Sequence, residues 1–172
     1  MKYAAWIALT YGLLALLSPL LGFLDAQLYA PDVALLTALF AGSRCGLGPA
    51  LATGFAAGLV KDGFSLSSPV GTYTEICTLV ALVGQVLQHR VDLVSPMPVM
   101  ATAAATSLLA SGVFLGLVAV FARTFEAYGT VLAAALPIAL TTMLWAPAQF
   151  AALDRIGRKL DLRGRGAMLL GR

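Results

Sequence analysis

The sequence predicts an all-α, polytopic integral membrane protein of about six transmembrane helices, and three observations carry that expectation. Of 172 residues, 60% are hydrophobic and 11% are charged, against about 25% charged in soluble domains. Mean hydropathy is +0.90, too apolar for a chain that must hide its apolar surface inside one water-soluble core. Apolar runs recur along the length, broken at intervals by Pro, Gly and charge. A bilayer core about 30 Å thick takes roughly 20 helical residues per span, so this length accommodates about six spans on short loops. The expected organisation is one transmembrane domain over residues 1–153 and a basic cytoplasmic tail over 154–172.

Taken in order, the spans are expected near 4–24, 31–43, 47–60, 70–88, 99–122 and 129–153, each bounded where Pro, Gly and charge coincide. The first follows Lys2. Its apolar run exceeds a signal-peptide core and no small-residue cleavage pattern precedes Asp25, so it reads as a retained span. The second and third are short. About 13 residues at 1.5 Å each reach roughly 20 Å, less than the hydrocarbon thickness, so they are expected to form a tight hairpin set in protein or to thin the bilayer locally.

Basic residues set the orientation, because Lys and Arg near a span resist translocation. With both termini cytoplasmic, Lys2, Arg44, Arg90, Arg155, Arg158, Lys159, Arg163, Arg165 and Arg172 lie inside, and Lys61 and Arg123 outside. Six of the nine inner residues belong to the tail, so the inside-in reading leans on the tail and on an even span count. The tail's charge suits an anionic lipid surface or a cytoplasmic protein partner, and no nucleic-acid partner is expected. Arg44, Arg90, Arg155, Arg158 and Lys159 are the expected cytoplasmic contacts.

Within the spans, Ala50, Gly54, Ala57 and Gly58 give the third a face almost without side chains, and Gly112 and Gly116 repeat the pattern in the fifth. Such faces let backbones approach, either within one monomer or against a partner helix. In the fourth span, Glu75 shares a helical face with Thr78, Gln85 and His89. An ionisable group there points either to an interfacial ion pair with Lys61 or to a ligand or proton site. Lys61, Asp62, Tyr73 and Glu75 form the expected polar pocket, with Ser65, Ser67 and Ser68 adding oxygens to an outer loop. In the sixth span Pro137 and Pro147 are expected to bend the helix, with Thr141 and Thr142 placed to satisfy freed carbonyls. Trp6, Tyr3 and Trp145 read as interfacial anchors.

Reaction chemistry is not expected. The chain has no phosphate-binding Gly-rich loop, no His-Glu-x-x-His and no Gly-x-Ser-x-Gly. One histidine and two cysteines at different depths, Cys45 and Cys77, predict neither a metal site, a cofactor nor a disulfide.

Pro31-Asp32 opens a short span, Arg44 and Gly46 mark a small turn, a Gly-rich span ends G-L-V-K-D-G-F-S at Gly58–Ser65, and S-P-V-G at Ser68–Gly71 opens the next. This order resembles the rod shape-determining protein MreD family, small proteins of the bacterial inner membrane, closely over about a third of the chain and elsewhere by span size and order. The resemblance implies a non-enzymatic scaffold of the elongation machinery that makes lateral peptidoglycan and sets cell shape. Its implied partners are a single-span MreC-like protein, actin-like MreB and the peptidoglycan synthases. It also implies a helix arrangement similar to the substrate-binding subunits of energy-coupling-factor transporters. A small-solute-binding membrane subunit of a transporter is therefore the alternative expectation.

Overall fold

The computed structural model describes residues 2–26, 29–65, 71–90, 95–121 and 128–169. Its regular structure is helical: α1 (Lys2–Phe23), α2 (Val33–Arg44), α3 (Leu47–Phe64), α4 (Thr72–Leu87), α5 (Pro96–Phe121) and α6 (Tyr128–Leu169). Among the described residues, three helices are long and apolar enough to cross a membrane: Lys2–Phe23, Pro96–Val120 and Tyr128–Leu160. Val33–Arg44 and Thr72–Leu87 are shorter apolar helices.

α2 is the hub. Its run V-A-L-L-T-A-L-F-A-G is apolar around the whole circumference, and a helix of that kind belongs in an interior. All ten residues from Val33 through Gly42 are buried, and α2 touches each of the other five helices. Asp32 starts it as N-cap, its side chain accepting the Leu35 N–H at 3.1 Å. Twelve residues extend only about 18 Å, so the helix depends on its neighbours for cover. The expected short hairpin is thus set in protein at α2.

α3 and α4 pack closely against each other and against α2, α5 pairs with α6, and α1 lies against α3 and α6. A few interhelical polar contacts run through a largely apolar interior. Thr10 and Thr37 bring hydroxyls within 2.7 Å across α1 and α2, and Gln149 of α6 donates to Val33 O at 2.8 Å and Thr37 Oγ1 at 2.9 Å. An aromatic ladder runs Tyr3, Trp6, Phe40, Phe150, with successive centroids 5.5, 5.2 and 5.2 Å apart. Leu16, Leu20, Phe55, Val86, Leu132, Leu136 and Leu144 face outward. Hydrogen bonds between helices and large apolar side chains on the outside suit a hydrocarbon surrounding, where interhelical hydrogen bonds act without competing water.

The expectations need four corrections. α3 runs past Val60 to Phe64, because the charges of Lys61 and Asp62 are neutralised inside the fold and need not end the helix. Trp6 is no interfacial anchor: it is 4% exposed and donates Nε1–H to Leu153 O at 3.0 Å, with Gly157 of α6 leaving room beside its ring. Tyr3 packs on it edge-on. Thr142 does not serve a proline-freed carbonyl; its Oγ accepts from Asp32 N at 2.9 Å, which fastens the start of α2 to α6. α6 runs past Leu153, the expected end of the sixth span, to Leu169, with Pro137 and Pro147 inside it.

Candidate functional site

The end of the bundle where α2 and α4 begin and α3 stops carries two polar knots side by side. In the first, Lys61 Nζ of α3 lies 2.5 Å from Asp32 Oδ2 and sits over the Tyr73 ring at 4.0 Å from its centroid. Tyr73 of α4 stacks in turn on Phe114 of α5, at 5.7 Å and 25°. The side chains of Lys61 and Asp32 are only 20% and 13% exposed. A pair so shielded holds together because Asp32 also accepts the Leu35 N–H and because the ammonium gains a ring face, so desolvation is offset by several partners at once.

The second knot belongs to Asp62. Its Oδ1 accepts the Tyr73 N–H at 3.1 Å, and its Oδ2 accepts the N–H of Gly71 at 3.2 Å, the N–H of Thr74 at 3.1 Å and the Thr74 hydroxyl at 2.5 Å. The N-cap of α4 is Gly71, which has no side chain to cap with and sits at φ +102, where only glycine is comfortable. An aspartate from the preceding helix does the capping instead. The first-turn N–H groups of α4 and their partial positive charge meet a carboxylate held at fixed depth, 8% exposed.

Beside the first knot lies a cavity of about 490 Å³ walled by α3, α4, α5 and α6, with Leu14 of α1. Lys61, Asp32 and Tyr73 line one side with Ser107 and Ser111; Ile76, Phe114, Val131, Ala134 and Ile138 supply apolar wall. Of the four residues expected to form a polar pocket, the structure brings Lys61 and Tyr73 to this cavity. Asp62 is committed to α4. Glu75 points outward on the same exposed stripe as Leu79, Leu82 and Val86, in the first turn of α4, where the helix N-terminus favours an acid. The expected Lys61–Glu75 ion pair does not form, since Lys61 takes Asp32. Gln85, expected on the Glu75 face, turns to α2 and donates to the carbonyls of Gly42 at 2.6 Å and Cys45 at 2.5 Å. Ser67 and Ser68 fall outside the described residues.

The small-residue faces divide as well. A Cβ on Gly58 would lie 2.4 Å from Thr74 Cα, and one on Gly54 2.8 Å from Cys77 O. That face of α3 is therefore filled by α4 and is not open to a partner. Gly42 and Gly84 form an equally close crossing of α2 on α4, where a Cβ on Gly42 would meet Ala81 O at 2.4 Å. By contrast a Cβ on Gly112 or Gly116 would meet nothing within 4 Å; both glycines are exposed on α5, in line with exposed Ala101 and Ala105.

At the opposite end, Arg44, Arg155 and Arg158 surround a second cavity of about 280 Å³ floored by Phe40, Val99, Pro147 and Phe150. Arg158 also pairs with Asp154 at 2.9 Å. Arg90 and Lys159 are exposed and do not line it. Cys45 and Cys77 are free, the first at the end of α2 and the second buried in α4.

Asp32 as the partner of Lys61, Ser107 and Phe114 in the cavity, and the Gly42–Gly84 crossing have no counterpart in the sequence reading. The Pro-Asp dipeptide before an apolar run was the available sign for Asp32, since it is a helix-start signal whose acid must lie at the bundle end. No protein-family model matches the chain, and no curated protein or solved structure matches it.

Proposed function

We propose that the chain is a non-enzymatic membrane scaffold of the bacterial cell-elongation machinery, of the kind its resemblance to the MreD family implies. The observation that carries this reading is what the resembling residues do in the fold. Asp32 pairs with Lys61, Gly58 admits the backbone of α4, and Asp62 caps α4 at Gly71. The motifs serve assembly of a helical frame and present no reacting group, as a scaffold requires.

In this reading the six helices are six spans in the bacterial inner membrane with both termini cytoplasmic, and their arrangement is similar to that of the substrate-binding subunits of energy-coupling-factor transporters. Partners are a single-span MreC-like protein, actin-like MreB and the peptidoglycan synthases, with anionic lipid at the Arg44, Arg155 and Arg158 end. The surface for a partner helix is the open stripe of α5 at Gly112 and Gly116, because that small-residue face is unfilled whereas the Gly54–Gly58 face is occupied.

Co-purification in mild detergent with a single-span MreC-like protein tests the reading. Capture is expected from the unaltered chain and is expected to be lost when Gly112→Leu and Gly116→Leu are combined. Retained capture by that variant rules out the α5 stripe, and absence of capture by the unaltered chain counts against the scaffold. The second reading, a small-solute-binding transporter subunit, draws support from the 490 Å³ cavity; co-purification with an ATPase module would favour it.

A further inference from the structure

The larger cavity is lined by hydrogen-bonding capacity that the fold leaves over, on Lys61 and Ser107. A lysine ammonium carries three protons. That of Lys61 spends one on Asp32 and lies against the Tyr73 ring, and no further hydrogen bond reaches it from the described residues. Ser107 of α5 is only 3% exposed and lines the same cavity, yet its hydroxyl bonds to no described residue. Its neighbours behave otherwise: Thr102, Thr106 and Ser111 all donate to carbonyls three or four positions earlier in α5, Ser111 to Ser107 O itself at 3.1 Å. A hydroxyl that opens onto a cavity without a protein partner is available to a ligand, and such polar groups are what orient a molecule in an otherwise apolar site.

The chemistry of that ligand follows from what the site lacks. Both Asp32 oxygens already accept, from the Leu35 N–H and from Lys61, whereas the Lys61 ammonium can only donate and keeps protons to give, so the site favours a ligand head that accepts. Lys61 and Asp32 cancel in charge. A ligand bringing a full negative charge would leave the shielded site with a net charge, which is expensive away from water, whereas a neutral acceptor does not. The remaining wall, Ile76, Phe114, Val131, Ala134 and Ile138, is apolar, and a volume of about 490 Å³ matches the size of small-molecule sites.

We propose that this cavity binds a neutral, lipid-soluble molecule whose head carries carbonyl oxygens that accept from Lys61 Nζ and Ser107 Oγ, and whose apolar body lies against α5 and α6. The inference does not rest on the scaffold reading, since it concerns a site inside the bundle and not a partner surface.

Equilibrium dialysis of the full chain in nanodiscs of zwitterionic lipid, corrected with empty nanodiscs, tests it. The probe is 2,3-dimethyl-1,4-naphthoquinone, whose substituted ring positions prevent addition of the Cys77 thiol. The comparators are 2,3-dimethylnaphthalene, which keeps the shape without the carbonyls, and the anion 2-naphthoate. The quinone is expected to be held about ten-fold more tightly than either comparator, which corresponds to one or two net hydrogen bonds. Ser107→Ala, which leaves the ion pair intact, is expected to weaken it about five-fold, and Ala134→Phe, which fills the wall, to abolish it. Equal retention of quinone and hydrocarbon, tighter retention of naphthoate, or unchanged binding in Ser107→Ala would each overturn the proposal.

Discussion

Asp62 shows how one side chain can carry the junction between two helices. Four hydrogen bonds converge on its carboxylate from the N-cap and first turn of α4, and the site is nearly closed to solvent. Asp62→Ala strands three backbone N–H groups and a hydroxyl, and is expected to destabilise the fold by about 3 kcal/mol, the order found for charge-assisted buried hydrogen bonds. Glu75→Gln, on the exposed stripe of α4, is expected to change stability by no more than about 0.5 kcal/mol. Chemical unfolding in detergent of the two variants beside the unaltered chain checks both, and equal effects would remove the distinction drawn between the two acids. Lys61 and Asp32 form a coupled pair of a different kind. Lys61→Met alone leaves a shielded carboxylate without its cation and is expected to cost about 3 kcal/mol, while Lys61→Met combined with Asp32→Asn is expected to recover part of that loss. A double variant less stable than the sum of the two single changes would contradict the pairing. Sequence made it legible that this end of the molecule is polar and that Lys61 and Tyr73 share it. Which acid takes the lysine was not legible, because Asp32 lies 29 positions away and Glu75 only 14, and proximity in sequence favoured the wrong partner.

Among the elements, α2 and the Gly-lined faces decide the packing. The periodicity and punctuation of the sequence located five helices and the start of α6 to within a few residues, since Pro, Gly and charge end apolar helices for reasons local to the chain; the end of α6, at Leu169 and not 153, was missed. They did not single out α2 as the hub. Its uniform apolarity is equally compatible with lipid on every side, and only tertiary contacts distinguish the two. The same limit applied to glycine: Gly54, Gly58, Gly112 and Gly116 carry the same small-residue signal, and the structure fills the first two and leaves the last two open. A variant series reads the difference directly. Gly58→Leu and Gly42→Leu drive a side chain into the backbone of α4, with no flexible group able to move aside, and are expected to prevent recovery of folded monodisperse protein. Gly112→Leu is expected to leave yield and unfolding midpoint near those of the unaltered chain, because its added side chain meets open space. Size-exclusion profiles of the purified variants check this, and loss of folded protein in Gly112→Leu would mean that α5 packs inside the molecule on that side.

At the scale of the whole molecule, the proposed six-span, inside-in arrangement places the two ends of α3 on opposite sides of the membrane. Three helices among the described residues are long and apolar enough to cross unaided, and α2 is sheltered by its neighbours, so α3 is the sharpest place to ask whether the compact core also crosses. Gly46, at the N-cap of α3, and Gly63, in its last turn, are both exposed with open space around an added Cβ. They stand 17 positions apart, about 26 Å along a helix axis, close to the hydrocarbon thickness. With Cys45 and Cys77 replaced by alanine, Gly63→Cys is expected to react with a membrane-impermeant maleimide in intact spheroplasts. Gly46→Cys is expected to react only after the membrane is opened. The basic groups Arg44, Arg155 and Arg158 gather at the Gly46 end, which is the reason for assigning that end to the cytoplasm. The reverse labelling pattern would invert the molecule and with it the assignment of the basic cavity to the inner leaflet. Labelling of both cysteines from one side would mean that α3 does not cross, and an odd count of spans would then separate the termini that the charge distribution places together.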